Sequence, residues 1–93
     1  MDNGYAERFA DALITEIKSA MARKGLSSRG LGRLIGESSQ YMSMRLDGGN
    51  PRTGTRVVLT TRDLAAIAAA LEMDLRALVE EAQSIATSPR LDS

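Results

Sequence analysis

GLSSRGLGRLIGESSQYMSMRLDG, residues 25–48, reads as two short helices joined by a tight glycine turn. Gly25 offers a left-handed stop to a preceding helix. Ser27 stands as an N-cap, and Leu26 before it with Leu31 after it has the spacing of a hydrophobic staple. Leu31, Leu34 and Ile35 supply an inward face, and Gly36 ends the first short helix. A second cap follows at Ser38 or Ser39. Met42 and Leu46, four apart, form the inward face of a helix that ends near Leu46, because the Gly-Gly-Asn-Pro at 48–51 cannot continue it. Gly30, inside the first short helix, has no such explanation in the sequence.

Upstream, Tyr5, Phe9, Leu13, Ile17 and Met21 recur at helical spacing and predict a long helix over 5–24. Asp2 or Asn3 can cap it; Glu7 and Asp11 suit its positive end, and Arg23 and Lys24 its negative end. The helix is longer than the short pair needs, so Tyr5 and Phe9 can pack on the last helix or on a second subunit. Downstream, NPRTGTRVVLT at 50–60 is rich in Arg, Thr and Gly. It reads as a long loop with one strand-like piece at 56–59, whose Val57, Val58 and Leu59 pack one side on the bundle. Thr60 and Asp63 form a capping box for a fourth helix, faced by Leu64, Ile67, Ala68 and Leu71. Asp74 caps a fifth, with Leu75, Leu78, Val79 and Ala82 inside. The fold expected is all-α, five helices around one core, with a single domain over 1–86 and a loose tail at 87–93.

Charge is distributed unevenly. Between residues 21 and 62, eight positive side chains (Arg23, Lys24, Arg29, Arg33, Arg45, Arg52, Arg56, Arg62) face only Glu37 and Asp47, a net of plus 6 in a chain that is neutral overall. The remainder therefore carries minus 6, with Glu80 and Glu81 on a face expected to point away from the basic one. Positive charge gathered on a helix–turn–helix pattern suits a polyanion on one side, which points to DNA.

Composition narrows the alternatives. Ninety-three residues leave little room for a separate catalytic domain. There is no Cys for a disulfide or thiolate site, and no His, the commonest general base and metal ligand. No carboxylate cluster has metal-ligand spacing, and no Ser or Asp has a partner arranged for nucleophilic work, so neither catalysis nor a cofactor nor a small-molecule substrate is implied. The longest apolar run, 64–71, is too short to span a bilayer, and the N-terminus is unlike a secretory signal, which implies a cytoplasmic protein.

The ordered set of caps, glycines and apolar positions from about Ile14 to Val79 resembles the lambda-repressor-like helix-turn-helix family of phage repressors, Cro proteins and related bacterial regulators. In that resemblance Ser27 caps the second helix, Leu31 is the buried leucine, Gly36 the turn glycine, Ser38 the cap of the recognition helix and Gly48 the glycine that ends it. The runs 41–48 and 59–71 are similar to versions common in actinobacteria and their phages. Gly32 sits where the family usually has Ala; the position must be small because the two helices pass closely, so Gly fits, at roughly 1 kcal/mol of helix propensity. Arg45 occupies a position often apolar, and the loop after Gly48 is longer than usual.

The resemblance implies that the second helix crosses the DNA backbone while the third reads the major groove. Ser39, Gln40, Ser43, Met44 and Arg45 are then the base-reading candidates: Gln suits adenine, Arg suits guanine, and Met can pack on a thymine methyl. Against this, Ser39 and Gln40 can be an ordinary polar helix start, Met44 can be core, and Arg45 can pair with Asp47 or Glu37. Ser28, Arg29, Arg33, Tyr41, Arg52 and Arg56 are the phosphate candidates. Tyr41 can instead cover the turn, Arg29 and Arg33 can be a solvated face, and Arg52 and Arg56 can lie on a plain surface loop or enter a minor groove. The function expected is sequence-specific binding of double-stranded DNA for transcriptional control, as a phage or bacterial repressor. The alternative is a protein-interaction module on the same fold, such as an antitoxin or a modulator of another regulator. Family members are often homodimers; the sequence holds no clear dimer seam.

Overall fold

The computed structural model of the protein describes residues 3–47 and 57–87. Among these residues five helices follow one another: α1 (Asn3–Arg23), α2 (Ser28–Ile35), α3 (Ser39–Leu46), α4 (Thr61–Ala70) and α5 (Leu75–Thr87). Asp2, Gly48, Arg52, Arg56 and the tail 88–93 lie outside the described residues, and so do the assignments made for them.

Local chemistry sets most of the boundaries. The Ser27 hydroxyl accepts the Gly30 N–H at 3.1 Å, and the Ser38 hydroxyl accepts the Tyr41 N–H at 3.0 Å. Thr60 and Asp63 close a reciprocal capping box, and the Asp74 carboxylate accepts the Arg76 N–H at 3.0 Å. At the other ends, α1 and α2 stop where Gly25 (φ 68°) and Gly36 (φ 79°) turn left-handed. Their following residues donate back five positions, Leu26 to the Met21 carbonyl and Glu37 to the Gly32 carbonyl. The loop after α4 makes the same turn without glycine: Glu72 stands at φ 57° while Met73 donates to the Ala68 carbonyl. Because α1 starts at Asn3, its first turn holds no acid, and Glu7 stands two residues further in than expected.

The core is shared by all five helices. Ile17, Leu31, Met42, Ile67, Leu71 and Leu78 are fully buried, with small Ala12, Ala20, Ala68, Ala82 and Ala86 letting backbones approach. Helix α1 packs antiparallel on α5. Arg8 Nε donates to the Ala86 carbonyl at one end, and Lys24 pairs with Glu72 at the other. Helix α2 lies on α3 and α4, and α4 on α5.

Three expectations are corrected. Leu34 is 59% exposed, because the seam between α2 and α3 runs through Gly32 and rotates the buried stripe to Leu31, Gly32 and Ile35. Leu75, at the first position of α5, is exposed, and Ala86 joins Leu78 and Ala82 in the stripe instead. Residues 57–59 form no strand, since no partner strand exists among the described residues to complete a ladder. They alternate all the same: Val57 and Leu59 are half-buried while Val58 is 72% exposed. Val57, Leu59 and Leu64 face Phe9, Leu13 and Ile14 across an apolar groove of about 190 Å³, and Tyr5 stacks on Phe9 with ring centroids 6.3 Å apart.

Candidate nucleic-acid interface

Helix α2 meets the start of α3 at Gly32. A Cβ there would lie 2.8 Å from the Glu37 carbonyl oxygen, 2.9 Å from Met42 Cγ and 3.2 Å from the Ser38 oxygen. Two of these three neighbours are backbone, so the pair is in contact over a position that admits no side chain. Gly30, unexplained by sequence, also has a neighbour: a Cβ there would sit 3.3 Å from Leu26 Cδ2 and 3.5 Å from Ser27 Oγ. Its bareness lets Leu26 fold over the helix start, where Leu26 packs at the edge of the core.

On α3 the side chains divide into three sectors. Met42 and Leu46 enter the core. Ser39, Gln40 and Ser43 are exposed, and Met44, one turn beyond Gln40, is half-buried beside them. Tyr41 and Arg45, also four apart, turn toward the start of α4. On α2, Arg29 and Arg33 are exposed and pair with no carboxylate among the described residues. Four of the five base-reading candidates therefore form one row, with two phosphate candidates on the adjoining helix.

Three candidates are held within the protein instead. Arg45 stands outside the exposed row: its side chain is 17% exposed, Nη1 donates to the Tyr41 carbonyl at 3.1 Å, and Nε lies 3.3 Å from Asp63 Oδ2. Its guanidinium covers the Tyr41 ring, 3.5 Å from the centroid. Its partner is neither Asp47 nor Glu37, because Asp63 is buried directly against it. Tyr41 covers the turn, its hydroxyl donating to Asp63 Oδ1 at 2.6 Å. Ser28 is half-buried and donates to Asp47 Oδ2 at 3.1 Å.

Two carboxylates thus brace α3. Asp47, its C-cap, also accepts Lys18 Nζ of α1 at 3.0 Å. Partial burial pushes the Asp47 carboxyl up, but hydrogen bonds from Lys18, Ser28 and Ser43 together with the Lys18 charge outweigh it, so its pKa falls below the usual value. Asp63 behaves alike: burial raises it, and the Thr60 N–H and hydroxyl, the Tyr41 hydroxyl and the Arg45 charge bring it lower. The same bond makes Tyr41 harder to ionise, with burial and the Asp63 charge acting in the same direction. Sequence reading saw Asp63 only as a capping residue, since nothing local announces a bond across 22 positions.

Glu80 and Glu81 are exposed on α5, which packs chiefly on α1 and α4. Among the described residues no cluster of acidic side chains could hold a metal ion, and no helix is long and apolar enough to cross a membrane. No family model matches the chain, and no curated protein or solved structure matches it either.

Proposed function

We propose that this chain binds double-stranded DNA sequence-specifically, as a helix-turn-helix transcriptional regulator of the lambda-repressor-like kind, and acts as a repressor in a bacterium or phage-infected host. The observation that carries this reading is the row of exposed Ser39, Gln40 and Ser43 with half-buried Met44 on α3, beside Arg29 and Arg33 on α2. Polar and thioether side chains on one helix face suit base edges, and unpaired arginines on the adjoining helix suit phosphates. The net of plus 6 over 21–62 in a neutral chain favours the same partner. Arg45 and Tyr41 are in this reading braces of the reading helix, and Arg29 and Arg33 are the grips.

Selection of bound sequences from a random duplex pool, followed by salt titration of the winner, tests it. The expected result is one enriched site whose affinity falls steeply with salt. Gln40→Ala should then lose about 1–3 kcal/mol on that site and much less on random DNA. Absence of enrichment with no salt dependence would favour the protein-interaction module. The observation on that side is Leu34, an exposed apolar residue next to Arg33 on α2.

A further inference from the structure

Among the described residues Arg45 forms one ion pair. Its Nε is buried and has no aligned hydrogen-bond acceptor; what faces it is Asp63 Oδ2 at 3.3 Å. Asp63 is itself fixed from three sides. Its Oδ2 accepts the Thr60 N–H at 3.0 Å and its Oδ1 accepts the Tyr41 hydroxyl at 2.6 Å, while its own N–H donates to Thr60 Oγ1 at 3.0 Å. The carboxylate is therefore part of the α4 cap and cannot swing. Tyr41 and Arg45 reach it from one side of α3, a turn apart, with the guanidinium stacked on the ring. Both are anchored at one point on a neighbouring helix, and that sets the fine rotation of α3 about its axis, within what the buried Met42 and Leu46 allow. The rotation decides where Gln40 and Met44 point, because they occupy the next sector of the same short helix.

We infer that Asp63 is a positioning residue for base reading. It sets the rotation of α3 through Tyr41 and Arg45, and it keeps the Arg45 charge folded in, away from the phosphates. This rests on the DNA-binding reading above. Removing the Asp63 charge leaves a guanidinium buried without its counter-charge, which drives it out to solvent. The loosened helix reads bases poorly, while the released arginine adds a grip that every duplex can use.

The test measures affinity of Asp63→Asn for the selected site and for random duplex, each across a salt series. The expected result is a specific-to-random ratio lower by about tenfold, the scale of one misplaced base contact. Random-duplex affinity should hold or rise, with its salt slope steeper by about one. Asp63→Asn combined with Arg45→Met lacks the same carboxylate charge but has no arginine to release, so its slope should return to the wild-type value while the ratio stays low. A folded Asp63→Asn with the wild-type ratio overturns the inference, and so does one that weakens specific and random binding equally, as a merely destabilised protein would. Where Asp63→Asn fails to fold, Tyr41→Phe decides. It keeps ring, carboxylate and arginine and removes only the bond; a lowered ratio supports the positioning role, and an unchanged one overturns it. A wild-type chain with no preferred site defeats the DNA-binding reading itself, which separates that failure from this one.

Discussion

Two glycines, two positions apart in one short helix, do opposite things. At Gly32 a methyl group would press on two backbone oxygens, of Glu37 at 2.8 Å and Ser38 at 3.2 Å, neither of which can yield without moving α3. Gly32→Ala should therefore destabilise by about 1–3 kcal/mol despite the better helix propensity of alanine. At Gly30 the nearest atom, Leu26 Cδ2 at 3.3 Å, is the far end of a flexible side chain. Gly30→Ala should be neutral or stabilising by up to about 1 kcal/mol, since propensity then has little to oppose it. Urea unfolding of the two variants checks the contrast, and equal losses would mean that the close approach of the helices is not centred on Gly32. Glu72 is the reverse case, a residue with a side chain at φ 57° where glycine belongs. Its pairing with Lys24 is exposed and contributes little. Glu72→Gly should gain about 0.5–1 kcal/mol, the relief of the left-handed strain less the extra freedom glycine has when unfolded. A lowered thermal midpoint would instead give the Lys24 contact the larger weight.

At the scale of the helices, what could be read from the sequence was whatever is encoded within a few residues. Ser27, Ser38, Thr60 and Asp74 act as caps because a side-chain oxygen need reach only two or three positions along. Gly25 and Gly36 end helices because a left-handed residue is a local requirement. Long-range geometry was not legible: the inward face of α2 depends on how close α3 comes, which moved Leu34 to the surface, and the fate of Arg45 depends on a carboxylate in another helix. The exposed row of α3 was legible because Met42 and Leu46 fix its inner face by spacing alone. On α2 the consequence is testable at Arg29. It is exposed, lies in the first turn and is unpaired, so Arg29→Ala should weaken all duplexes about equally and reduce the salt slope by about one. Loss confined to one base position would make Arg29 a reader instead of a phosphate grip.

Across the whole molecule, one core drawn from five helices is tied together by ionisable groups, and these give stability a defined dependence on pH. Asp47 ties α3 to α1 and α2, and Asp63 ties α3 to α4. Both carboxyls are lowered from the ordinary 3.8, so folding binds their protons less tightly than the unfolded chain does. The stability they contribute is complete above that ordinary value and is lost as pH falls through the lowered folded values. Tyr41 has the opposite sign. Its pKa is raised from 10.0, so its contribution is complete below 10.0 and is lost as pH rises through the raised folded value. Thermal midpoints should therefore be level between about pH 5 and pH 9 and fall on both sides. Tyr41→Phe separates the two edges. It lowers the level region, because the bond to Asp63 is gone, and it makes the alkaline fall shallower, because one group that resists ionisation in the fold has been removed. The acid fall persists, carried by Asp47 and its bonds to Lys18 and Ser28, which Tyr41 does not touch. Midpoints measured for both proteins across the full pH range check this. An alkaline fall as steep in Tyr41→Phe as in the wild type would mean that the Tyr41–Asp63 bond does not hold α3 to α4 in solution.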